Sequence, residues 1–109
     1  MSEGKIKCII KRPDEQYGHV TNISTSLKNL QRIVDGPIES VSLGDNAVVI
    51  CNAEGKLRRL QKNFWMGLPP YMDVICGEAI MIGVDGEDLC DLPISFNTWK
   101  RLLQSWGNR

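Results

Sequence analysis

Val41-Ser-Leu-Gly-Asp-Asn-Ala-Val-Val-Ile50-Cys-Asn-Ala-Glu-Gly55-Lys-Leu-Arg-Arg-Leu60-Gln-Lys-Asn63 is the stretch on which the reading of the fold turns. Ala47 to Cys51 is an apolar, β-branched run of strand length, too short for a helix. Asn52-Ala53-Glu54-Gly55 follows it, and because Asn and Gly tolerate positive φ the four residues read as a tight reversal. Lys56 to Leu60 is then expected to run back as a second strand, giving a central hairpin whose return arm carries most of the local positive charge.

Upstream, Ile6, Cys8 and Ile10 alternate with Lys7 and Lys11, the pattern of a half-buried strand. Pro13 to Gly18 is a polar loop, and His19 to Ile23 adds a short extended piece. Ser24-Thr25-Ser26 offers capping hydroxyls to a helix whose Leu27, Leu30, Ile33 and Val34 form one stripe. Gly36, as the left-handed cap, and Pro37 end it. Ile38 to Leu43 alternates again and turns at Gly44-Asp45-Asn46 into the central hairpin.

Downstream, Gln61 to Tyr71 contains Phe64-Trp65-Met66-Gly67-Leu68-Pro69-Pro70, where Gly and two prolines argue for an irregular loop. Val74 to Val84 is the longest apolar run and reads as a strand bent at Gly77. After the acidic turn Asp85 to Asp88, Phe96, Trp99, Leu102, Leu103 and Trp106 recur at helical spacing. The sum is a single α+β domain over residues 1–109, in the order β-α-β-β-β-β-α: a mostly antiparallel sheet of about five strands, with two helices packed on one face.

Composition narrows the function. Hydrophobic content of 42% and charged content of 24% belong to a globular chain, and 13 basic residues balance 13 acidic ones. Zero net charge counts against binding duplex nucleic acid. Met1 to Lys5 lacks the apolar segment of a signal peptide and no run is long enough to span a bilayer, so a cytoplasmic protein without membrane contact is expected. Cys8, Cys51, Cys76 and Cys90 are too scattered for a zinc site and read as buried thiols of a reducing compartment.

Catalytic signatures are missing. His19 has no nucleophile beside it, the Asp85, Glu87, Asp88 and Asp91 group lacks the spacing of a calcium loop, and the glycines form no phosphate-binding motif. No enzyme activity, metal or cofactor is expected. The basic group is the exception: Lys56, Arg58, Arg59 and Lys62 lie close together and next to Trp65. One reading is a charge-guarded edge strand. The other is an anion site in which Arg58 or Arg59 grips phosphate, with Lys56, Lys62, Asn52 and Asn63 around it and Trp65 or Tyr17 stacking on a base.

Gly36 to Glu39, Leu43, Asp45, Ile50 to Leu57, Leu60 and Asn63, then Asp73, Ile75, Gly77 and Ile82 to Asp88, carry a family resemblance. Across Lys5 to Cys90 the chain resembles a family of small domains of unknown function found in bacteriophages, plasmids and bacteria, with Cys51-Asn-Ala-Glu-Gly-Lys-Leu57 as its core. The resemblance implies no activity. It implies a setting, in which small proteins disable host factors. The expectation is therefore a non-enzymatic binding protein of phage or mobile-element type that antagonises host defence by sequestering a small, anionic, nucleotide-derived signal, in a pocket completed by a homo-oligomer. The alternative is an interaction module that masks a host enzyme surface through Trp65, Leu68 and the last helix, with a host defence protein as a candidate partner; single-stranded nucleic acid is a third ligand class.

Overall fold

The computed structural model describes residues 4–108. In chain order the elements are β1 (Ile6–Lys11), β2 (His19–Ile23), α1 (Leu27–Val34), β3 (Ile38–Gly44), β4 (Ala47–Asn52), β5 (Lys62–Met66), β6 (Asp73–Cys76), β7 (Ala79–Asp85), β8 (Asp88–Cys90) and α2 (Phe96–Ser105). The main sheet runs β2-β1-β7-β4-β3, with β8 on the far half of β7, and β5 and β6 form a separate two-stranded ribbon. Every pairing among the described residues is antiparallel. The α+β class stands.

The placement of the helices is a correction. They lie on opposite faces of the sheet, not on one. Ile9, Val49, Cys51 and Met81 form a core with Trp99 and Leu103 of α2, while Cys8, Ile10, Ile50, Ile80 and Ile82 form another with Leu30 and Val34 of α1. Neighbouring residues of a strand point to opposite faces, so β1, β4 and β7 are apolar on both sides. A sheet of that kind needs cover on both. One helix is used on each face.

The central hairpin is also corrected. β4 pairs with β3 on one side, through the turn at Asp45 and Asn46, and with β7 on the other. It has no free side for a returning arm. Lys56 to Leu60 instead coils: the N–H of Arg58 donates to Glu54 O at 2.9 Å and that of Leu60 to Gly55 O at 2.9 Å, and Arg59 ends the coil at φ 56°. Ala53, Glu54, Lys56, Leu57 and Arg58 are all good helix formers, which favours this outcome over an extended arm.

The segments after the coil differ from expectation in two ways. The stretch read as irregular contains β5, held in place because Phe64 and Met66 bury against the α2 side of the core. The long apolar run breaks at Gly77, whose φ of 85° turns the chain out of the ribbon and into the main sheet. Before the coil, the left-handed cap of α1 is Asp35 at φ 64°; Gly36 is needed for space, since a Cβ there would stand 2.7 Å from the Asn52 amide. Ser26 and Ser95 cap the two helices at their N-termini. At the centre Trp99 is fully buried, edge-on to Phe64 and Trp106, with its indole N–H donating to Tyr17 O at 2.8 Å.

Candidate functional site

The eight residues selected from the sequence fall into several places. Asn52 is buried at the end of β4, where its Nδ2 donates to the Val34 and Asp35 carbonyls at 3.0 Å each and its Oδ1 accepts the Glu54 N–H at 2.7 Å. Arg58 reaches the same helix end, donating to Asp35 O at 2.6 Å and to the Asp35 carboxylate at 3.1 Å. These two side chains satisfy carbonyls that α1 leaves open at its C-terminus. Lys56 pairs with Asp73 across the mouth of a cleft.

Asn63 is a strut. Its Oδ1 accepts from Lys11 Nζ at 2.6 Å, and its Nδ2 donates to the carbonyls of Lys11 and Gly77 at 2.8 Å each, joining β1 to the start of β7. Tyr17 lies under the Lys100 ammonium, 4.9 Å from its ring centroid, and its hydroxyl accepts from Gln104 Nε2 at 3.0 Å. Arg59 and Lys62 are exposed. Trp65 is 42% exposed, with its main-chain N–H and C=O both taken by the Asn108 side chain. The structure brings together Asn52 with Arg58 and Asn52 with Lys56, and it does not gather the set around one cavity.

Two clefts are relevant. The first, of about 340 Å³, has Glu39, Lys56 and Asp73 around it and Cys51, Ile75 and Cys76 in its wall. Burial, then the charges of Glu39 and Asp73, push the Cys51 thiol up to about 11. That keeps it protonated and poorly nucleophilic at neutral pH. The second, of about 380 Å³, is lined by Lys11, Asp14, Glu15, Asn63, Phe64 and Asn108. Lys11 is buried there with its Nζ 5.7 Å from the Phe64 ring centroid; burial lowers its pKa against the opposing pull of Glu15 and Asp14. His19 contacts Glu15 at 2.8 Å on the surface. Among the described residues no nucleophile is set against a base in either cleft.

The ribbon's turn is the third feature. Between Lys62 and Asp73 there is no charged residue, and here Leu68 is 61% exposed, Tyr71 89%, and Met72 also exposed, beside the half-open Trp65. Clustered apolar exposure of this kind marks contact surfaces.

A family model for a domain of unknown function (DUF3846) matches residues 6–104. The chain belongs to that family. The match takes in α2, past Cys90 where the resemblance read from the sequence stops. No curated protein and no solved structure matches the chain. Among the described residues no helix is long and apolar enough to cross a membrane, and no group of His, Cys, Asp and Glu side chains is placed to hold a metal ion.

Sequence reasoning missed Lys11, Tyr71 and Met72. A signal for Lys11 exists: Ile9 is apolar on the face of β1 that Lys11 shares, so that face is also buried. For Tyr71 and Met72 it lies in the turn itself, because side chains of a Gly-Leu-Pro-Pro reversal beyond the last paired residue have little core to enter.

Proposed function

We propose that this family member is a non-enzymatic binding protein that docks onto another protein through the turn between β5 and β6. The observation that carries the reading is the uncharged tip, with Leu68 and Tyr71 mostly exposed. Aromatic residues and Met are enriched at the centres of protein interfaces. Neither core uses these side chains, so the fold does not account for them. The mobile-element setting implied by the resemblance makes a cytoplasmic host defence enzyme the proposed partner class, masked rather than modified. Protonated thiols and a surface His19–Glu15 pair support a non-catalytic role.

A small nucleotide-derived signal is the second reading, favoured by the cleft that places Asn52 and Lys56 together. Glu39 and Asp73 beside them oppose an anion, which ranks the protein partner first. Affinity capture from host lysate, comparing the chain with a Leu68→Ser/Tyr71→Ser variant, tests the proposal; wild type is expected to retain a defined protein that the variant loses at unchanged melting temperature. Equal recovery by both, or calorimetric binding of cyclic nucleotides or ADP-ribose below millimolar concentration with the tip variant unaffected, overturns it.

A further inference from the structure

β6 has a neighbour on one side only. It pairs with β5 through Phe64/Ile75, Trp65/Val74 and Met66/Asp73, and among the described residues no strand is hydrogen-bonded to its other edge. Asn108 reveals which backbone groups face that free side. Its side-chain amide takes the N–H of Trp65 at 2.9 Å and the C=O of Trp65 at 2.8 Å, from outside β5. In an antiparallel ladder, residues whose main-chain groups point outward sit opposite each other in the non-hydrogen-bonded pairs. Val74, opposite Trp65, therefore directs its own N–H and C=O away from β5.

On that side lies the first cleft, bounded by β6, the ends of β3 and β4, and the coil from Ala53 to Leu57. The coil closes one end of the strand: a Cβ on Gly55 would stand 2.9 Å from the Cys76 carbonyl. At the other end the Val74 N–H is held by a substitute, since Asp73 Oδ1 accepts it at 2.9 Å and the same oxygen accepts from Lys56 Nζ. Short-circuiting an outward N–H with the preceding carboxylate protects an edge that is otherwise ready to pair.

We propose that this cleft takes an extended peptide segment, added as a strand to β6, with the Asp73–Lys56 contact as the latch it displaces. The inference rests on the protein-docking reading and identifies the part of the partner that is gripped: a stretch without regular structure, such as a terminus or loop. Backbone hydrogen bonds to Val74 supply affinity, and flanking side chains supply selectivity. Two carboxylates, Glu39 and Asp73, face one ammonium, Lys56. The segment therefore carries a Lys or Arg that replaces Lys56 against them, next to a small apolar side chain that seats on Cys51 and Ile75.

The test uses two synthetic probes, an acetylated and amidated peptide of alternating Val and Thr with a central Lys, and the same peptide with Glu in place of Lys. Titration followed by amide NMR is expected to shift the Val74 resonance with the Lys peptide, and to show about tenfold weaker binding of the Glu peptide, since like charges brought together are penalised. Asp73→Asn keeps an oxygen for the Val74 N–H but removes the charge, and is expected to erase most of that discrimination at unchanged stability. Equal affinity for both probes, or no Val74 shift at millimolar peptide in the folded protein, overturns the proposal. A Val74 shift that follows protein concentration without peptide gives the edge to a second copy and overturns it as well. If the probes fail while the Leu68→Ser/Tyr71→Ser variant still loses its partner, the groove is wrong and the docking reading stands; if the probes bind and that variant captures normally, the reverse holds.

Discussion

The main sheet and the β5–β6 ribbon are built from similar residues and treated differently. In the sheet, β1, β4 and β7 hide apolar side chains on both faces beneath α1 and α2. In the ribbon only one face is buried, through Phe64, Met66 and Ile75, while Trp65, Leu68 and Tyr71 meet solvent. Folding explains the large apolar side chains of β1, β4 and β7 and only about half of those of the ribbon and its turn. Surplus apolar surface is where selection for binding shows itself.

That contrast can be broken at its strongest point first. Trp99→Ala empties the space between α2, Phe64 and Trp106 and removes the bond to Tyr17 O, so denaturant unfolding is expected to show a loss of about 3–5 kcal/mol. A loss under about 1 kcal/mol would place the core elsewhere.

Next comes alkali. Burial raises the Cys8 and Cys51 thiols from 9.0 to about 11 in the folded chain. Between those values the unfolded thiols release their protons and the folded ones do not, so stability is intact below about pH 9 and falls as pH rises toward 11. The decline is at most roughly 2–3 kcal/mol per thiol. Lys11, whose pKa burial lowers, acts in the opposite direction and softens the slope. Melting temperatures across this range are expected to fall steeply for wild type and less for Cys8→Ala/Cys51→Ala.

Asn52→Ala should cost about 1–3 kcal/mol by chemical denaturation, because it strands the Val34 carbonyl at the end of α1 and leaves Asp35 O with Arg58 alone. An unchanged midpoint would return Asn52 to the ligand-binding candidates. The smallest change is expected at the tip. Leu68→Ser/Tyr71→Ser should stay within about 0.5 kcal/mol of wild type, and a larger loss would show that these side chains belong to the fold after all.

The same division governs what could be read in advance. Val48 to Cys51 and Ile80 to Val84 are unbroken apolar runs, and such runs mark strands covered on both faces, which placing both helices on one face leaves out of account. The stripe Phe96, Trp99, Leu103 and the turn at Asp45-Asn46 were legible because local spacing and local φ preference decide them. β5 was not, since a short strand ending in Gly-Leu-Pro-Pro depends on the distant indole of Trp99 for its burial. Nor were the roles of Asn52 and Asn63. An amide that caps a helix or braces two strands has the same letter as one that holds a ligand, and only the fold tells them apart. The cationic cluster was visible as composition, but the coil from Ala53 to Arg59 sends Lys56 to Asp73 and Arg58 to Asp35, a divergence that strand periodicity did not anticipate.

Asn108 has one more consequence. By imitating main chain along β5 it leaves the ribbon with a single reactive border, so the ribbon has a valence of one. A ribbon with two such borders can be extended from both; this one can be extended only from β6. Whatever joins there completes the ribbon, because its other border is already occupied.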